Sequence, residues 1–226
     1  MTIYANYPTG FSPVENRVGN PWNQQGHLYY IPATDTNQYG LGDVVYPNTG
    51  SDIDGVPVVT KITSPGSISQ STTPPLGVII GIRVADPPGV SLQGPDLTLS
   101  VLQIPATKAR GYYVYVVDDP DVVFELPTDT VIANSALVVN STTNPTSLVC
   151  ANKNASFTVN NPTGSSPFSG TVLNTGSIAI TASLPLKILG MAVKPDNLLT
   201  NFQNGIPIRL RVMWNIHAWI GSAIGA

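Results

Sequence analysis

Short runs of β-branched and aromatic residues recur along the chain between clusters of Gly, Pro, Asn and Asp, and apolar positions at helical spacing are nearly absent. The pattern predicts an all-β fold. Strands are expected at His27 to Ile31, Asp43 to Tyr46, Val56 to Ile62, Leu76 to Val84, Leu97 to Ile104, Tyr112 to Val117 and Val122 to Leu126. Further strands are expected at Val131 to Val139, Ala155 to Val159, Ser177 to Thr181, Leu186 to Val193 and Ile206 to Trp219. The one helix expected is a single turn near Asp196 to Asn201, with Pro195 ahead of it. No solenoid-type repeat is visible.

Turn chemistry refines this picture. In GYYVYVVDDPDVVFE, Gly111 to Glu125, two β-rich runs flank Asp118, Asp119, Pro120 and Asp121, which predicts a tight hairpin. Asp54 and Gly55 similarly end a short polar loop, Ser51 to Gly55, before VPVVTK. From Thr130 to Leu186 the only charged residue is Lys153, and Asn, Ser and Thr dominate. The expected organisation is therefore an N-terminal arm and β-barrel or jelly-roll-like domain over 1–127 and an inserted low-charge β subdomain over 128–183. Strands over 184–226 are expected to return to the first domain and end in a C-terminal arm.

Charge changes the functional picture. Charged residues make up 10% of the 226 residues, against about 25% in ordinary soluble domains. The surface is thus expected to be polar but uncharged, which suits burial against neighbours. A hydrophobic content of 42% with a net charge of −3 argues against disorder. The ten basic residues are scattered singly and the pI is near 5.1, so no nucleic-acid partner is expected. The start, MTIYANYPTGFSP, carries neither Lys, Arg nor an apolar run, and no stretch approaches about 18 apolar residues. Synthesis in the cytoplasm, with no membrane partner, is the expectation. Cys150 is the only cysteine, so no intrachain disulfide can form.

Candidate chemistry is sparse. Nucleophilic catalysis could draw only on His27, His217 and Cys150 among histidines and cysteines, and no G-x-S-x-G elbow occurs. Asp118, Asp119, Asp121 and Glu125 are the best carboxylate cluster, but residues around a Pro-containing turn project in different directions. The same loop, and Asp52 with Asp54, could hold a divalent cation, although neither has the twelve-residue calcium pattern. No phosphate-cradling glycine loop is present. The expectation is no catalytic residue, no cofactor and no metal. Tyr29, Tyr30, Tyr112, Tyr113, Tyr115, Trp214 and Trp219 could form a sugar-binding face or an interface, and the outward-facing rings are read as intersubunit anchors.

Several phrases carry a resemblance: YYIPATDT (Tyr29 to Thr36), LGDVVYP (Leu41 to Pro47), GVPVVTK (Gly55 to Lys61), LGVIIGI (Leu76 to Ile82), GYYVYVVDDPDVVFE and LPLKILGMAVKPDN (Leu184 to Asn197). Together they resemble the structural proteins of tailed-bacteriophage heads, a group that includes capsid decoration, or cement, proteins. The resemblance implies a β-barrel or jelly-roll virion protein on the capsid exterior. Such a protein self-associates as a homodimer or homotrimer and bridges subunits of the major capsid protein. A tail or fibre component involved in host attachment is the alternative. Interface contacts are expected from the chain ends, at Tyr4, Tyr7, Phe11, Trp214, Trp219 and Ile220.

Overall fold

Runs such as VVY, GVIIGI and YVYVV lack the apolar-polar alternation of a half-exposed sheet, because the strands they form are covered on both faces. The computed structural model describes residues 9–85, 103–129, 150–164, 166–195, 197 and 207–220. Its strands are β1 (Ser12–Asn16), β2 (His27–Ile31), β3 (Tyr39–Gly40), β4 (Val44–Ser51), β5 (Pro57–Lys61), β6 (Gly77–Val84) and β7 (Gln103–Ile104), followed by β8 (Tyr112–Val117), β9 (Val122–Pro127), β10 (Asn154–Thr158), β11 (Val172–Ala179), β12 (Leu186–Met191) and β13 (Arg209–Trp214). Among the described residues there is no α-helix, only a 3-10 turn at Pro65–Ser67. The protein is all-β.

Five strands close a barrel in the order β2, β5, β4, β6, β8, with β8 pairing back to β2. A six-stranded antiparallel sheet, in the order β1, β9, β13, β12, β10, β11, packs against the barrel's outside, and β3 with β7 forms a small ribbon. Adjacent residues on the barrel strands therefore serve two cores. Val45, Ile79, Val114 and Val116 fill the barrel with Tyr29, Ile31 and Tyr39. Val44, Val78 and Val117 point outward, against Phe124, Leu126, Leu210 and Val212 of the sheet.

Three expectations change. β8 and β9 do not form a hairpin: β8 lies between β2 and β6 in the barrel, and β9 between β1 and β13 in the sheet. The turn at Asp118 to Asp121 is the corner where the chain leaves one sheet for the other. Turn residues reverse the chain, but they do not choose partners for two strands that are each flanked on both sides. Second, β10 and β11 are no separate subdomain. They extend the sheet to which β12, β13, β9 and β1 belong, so the closing strands complete this sheet and not the barrel wall. Third, β11 begins at Val172, five residues earlier than Asn174 and Gly176 suggested, and β1 was not expected at all. By contrast β2 and β8 have the predicted bounds, and the Ser51 to Gly55 loop joins the antiparallel pair β4 and β5, with Gly55 at φ 83° and the Asp52 carboxylate accepting from the Asp54 and Val56 amides. The expected strand over 131–139, the helical turn near 196–201 apart from Asn197, and all but the last two residues of the strand over 97–104 lie outside the described residues.

Phe11 and Trp214, expected at an interface, belong to the core, 2% exposed each. Phe11 stacks on Trp214 at 5.4 Å between ring centroids and meets Phe124 and Phe157 edge-on at 5.9 and 5.4 Å. The chain reaches this position through a close crossing in which the Phe11 amide donates to the Gly42 carbonyl at 3.1 Å. Gly42 sits at φ 87°, and a Cβ there would stand 2.5 Å from the Thr9 carbonyl oxygen, so only glycine fits.

The barrel, ribbon and sheet meet at a buried ion-pair network. Lys61 Nζ lies 2.7 Å from Asp43 Oδ2, and both side chains are excluded from solvent. Nζ also donates to the Gln38 carbonyl and to Asn161 Oδ1, while Asp43 accepts from the Gly40 amide at 2.8 Å and from Ser169 Oγ. Lys108, likewise buried, pairs with Asp35 at 3.2 Å. The Tyr39 ring lies between the two ammonium groups, 5.9 Å from Lys61 and 5.5 Å from Lys108, and its hydroxyl donates to Asp35. Burial pushes the Asp43 carboxyl up, and Lys61 beside it opposes that shift. Removing one partner leaves the other charge buried alone, so Lys61→Met should cost about 3 to 5 kcal/mol. Lys61→Met combined with Asp43→Leu should recover much of that loss in urea denaturation. Equal instability of single and double variants would show that packing, not charge, holds this junction.

Candidate functional site

An open groove of about 880 Å³ runs where the barrel and the sheet diverge. It is lined by the irregular segment Trp22 to Gly26 leading into His27 of β2, by the Asp118 to Pro120 corner and by Trp219. Ile80 and Tyr115 contribute from β6 and β8. A shallower apolar cavity of about 390 Å³, reaching Phe168, adjoins it through Trp22, Gln24, Ile80 and Tyr115.

Asp118 organises the corner. Its Oδ1 lies 2.7 Å from His27 Nδ1, and its Oδ2 accepts from the Tyr29 hydroxyl at 2.7 Å. Accepting at Oδ1 places a proton on Nδ1 of the exposed His27 ring and leaves Nε2 outside this contact. Burial and the neighbouring carboxylate push the Tyr29 phenol well above its usual range. The remaining acids have structural roles: Asp119 Oδ1 accepts from the Asp121 amide, Asp121 pairs with Arg17 at 3.2 Å, and buried Glu125 pairs with Lys194. Asp52, the other cation candidate, accepts from the Asp54 and Val56 amides and from Tyr113. Among the described residues no cluster of three or more His, Cys, Asp and Glu could hold a metal ion.

The His27 and Asp118 pair resembles the base and orienting half of a hydrolytic site, but among the described residues no Ser, Thr or Cys lines the groove to complete it. Cys150 is buried in the core, where desolvation pushes its thiol up to about 12, so it is inert. Ile220 is partly exposed, while Tyr4 and Tyr7 lie outside the described residues.

His217, the other candidate base, is buried beneath Trp219. Its Nδ1 accepts from the Trp219 amide at 3.1 Å, and its Nε2 has no partner in hydrogen-bond geometry. Desolvation lowers its pKa to about 4, an effect that the Leu76 carbonyl, Asp118 and Asp119 only partly offset. Sequence reasoning singled out Tyr115, Trp219, His27 and Asp118 separately. It missed Trp22, Asn23, Gln24 and Gln25, whose signal was a Trp beside three amides in a segment with no strand pattern. No protein family, curated protein or solved structure matches the chain.

Because the folded-state pKa of His217 lies below its ordinary 6.5, the native state resists protonation that the unfolded chain accepts. Its contribution is fully present above that value and lost as pH falls toward about 4, amounting to about 3 kcal/mol. Urea midpoints should fall over this window, and His217→Asn, which keeps an acceptor for the Trp219 amide without titrating there, should flatten the fall. An unchanged pH slope in the variant would assign the acid sensitivity to other groups.

Proposed function

We propose that this chain is a non-enzymatic virion structural protein that binds the exterior of a tailed-phage capsid, self-associates and bridges major capsid protein subunits. The observation that carries the reading is the use of charge. Lys61, Lys108, Asp43 and Asp35 are drawn into the interior, and Arg17, Lys194 and Arg211 pair with Asp121, Glu125 and Glu15. The pairs of Arg17 with Asp121 and of Lys194 with Glu125 reach solvent, but as pairs they present little unbalanced charge. Meanwhile Val18, Ile53, Ile180 and Val193 are 79%, 79%, 88% and 92% exposed. A chain this poor in charge that also leaves apolar side chains in water suits coverage by neighbours in an assembly. The phrases that resemble head structural proteins fall on β2, β4, β5, β6, β8, β9 and β12, the framework of both layers.

A second reading, a tail or fibre component that attaches to the host, is favoured by the aromatic groove. Locating the protein's density in reconstructions of intact particles separates the two: density over the shell supports the first, density on the tail the second.

Two outcomes are expected if the shell reading holds. Particles lacking the protein should assemble but break at lower temperature or weaker osmotic stress, because binding confined to the assembled lattice stabilises it by mass action. Ile180→Asp with Val193→Asp should weaken self-association or particle binding while shifting the urea midpoint by no more than about 0.5 kcal/mol, as expected at exposed sites. Bare and decorated particles of equal resistance would remove the capsid-stabilising role.

A further inference from the structure

Trp219 combines two properties that rarely occur together: its side chain is 61% exposed, yet the backbone beneath it is fixed. The Ala218 amide donates to the Pro75 carbonyl at 2.8 Å, the Trp219 amide to His217 Nδ1, and the Ile220 amide to the His217 carbonyl at 3.1 Å. Gln70 Nε2 clamps the same turn by donating to the carbonyls of His217 and Ile220. An indole held out in solvent by its own backbone is preorganised to meet something flat and apolar, at little further entropic cost.

The same groove offers complementary chemistry. Among the described residues none supplies a hydrogen-bond partner to the exposed side chains of Asn23, Gln24 or Gln25. Gln24 also holds a left-handed backbone (φ 67°), one of two non-glycine residues to do so among those described. The second carboxylate oxygen of Asp119 adds an acceptor. A ligand with apolar C–H faces and a rim of hydroxyls would satisfy the indole and the amides at once.

We propose that the groove binds a neutral oligosaccharide, with Trp219 stacking on the C–H face of one ring and Asn23, Gln25 and Asp119 hydrogen-bonding its hydroxyls. Among the described residues the groove is lined by Asp118 and Asp119 but by no Lys or Arg, so a sialylated or phosphorylated glycan would meet like charge. A peptide adding itself as a strand finds little free edge here: β2 and β8 are each paired on both sides, and the outer side of the edge strand β1 is engaged by Asn20 and Trp22, with the Asn16 amide donating to the Asn20 carbonyl and the Trp22 amide to the Val14 carbonyl. At about 880 Å³ the cavity is at the large end for small-ligand sites, which run from about 300 to 1,000 Å³, and has room for more than one sugar ring. The proposal stands apart from the capsid reading, since the side chains it uses all belong to one chain.

The test is a titration of the ¹⁵N-labelled full chain with neutral oligosaccharides of glucose, galactose, mannose and N-acetylglucosamine, with sialyllactose as the anionic control. The indole N–H signals of Trp22, Trp214 and Trp219 serve as reporters. At least one neutral probe should shift the Trp219 and Trp22 signals saturably and leave buried Trp214 still. Trp219→Ala, and separately Asn23→Ala with Gln25→Ala, should weaken that probe by about tenfold or more with the urea midpoint nearly unchanged. The proposal is overturned if no neutral probe shifts these signals, if Trp219→Ala binds as the parent does, or if sialyllactose binds more tightly than every neutral probe. It is also overturned if the signals respond only to protein concentration, which would make the groove a contact between copies of the chain.

Discussion

The Asp43 and Lys61 pair is the junction on which the architecture depends. Lys61 ends β5 in the barrel, Gln38 and Gly40 belong to the ribbon region, and Asn161 and Ser169 lie in the connection between β10 and β11. Three segments distant in sequence thus converge on two buried charges. Apolar contacts tolerate sliding, but an ammonium with three donors and a carboxylate with fixed acceptors tolerate only one arrangement of their partners. The pair need not add much net stability. What it specifies is the angle at which the sheet lies over the barrel, and hence the opening between them.

Elements whose character is local were legible in the sequence. β2, β8 and the Asp52 turn follow from composition over a few residues, and the all-β class follows from their recurrence. Which strand pairs with which was not legible. The Asp118 to Asp121 turn reads as a hairpin because turn chemistry reports only that the chain reverses. The partners of β8 and β9 are decided by two-sided burial, visible in hindsight as the missing polar alternation in YVYVV and VVFELP. Phe11 looked like part of an arm because it follows a Pro- and Tyr-containing start. Its burial depends on the Gly42 crossing, thirty-one residues away in the chain.

The groove was illegible for a related reason. Its residues come from near 22, 80, 115, 118 and 219, and each alone has an ordinary explanation as turn, strand or tail. The distinguishing fact is relational: a fixed, exposed indole shares a groove with amides that have no partner among the described residues. Scarcity of charge links this site to the rest of the molecule. With Lys61 and Lys108 committed to the interior and Arg17 and Arg211 to ion pairs, the groove is left mainly to aromatic, amide and carboxylate chemistry.

The sheet order also sets a sequence of events in time. The barrel strands lie within residues 27–117, so the barrel can close while the rest of the chain is still being made. Its cover cannot. β9 is held between β1, near the beginning of the described chain, and β13, near its end, so the six-stranded sheet is incomplete until Trp214 has emerged from the ribosome. During synthesis at about 5 to 20 residues per second, the outward-facing Val44, Val78 and Val117 remain bare for several seconds. A nascent chain in that interval presents the very surface that later seals its core. The rate of translation over the last hundred residues therefore governs the time during which neighbouring nascent copies can cross-pair before each completes its own sheet.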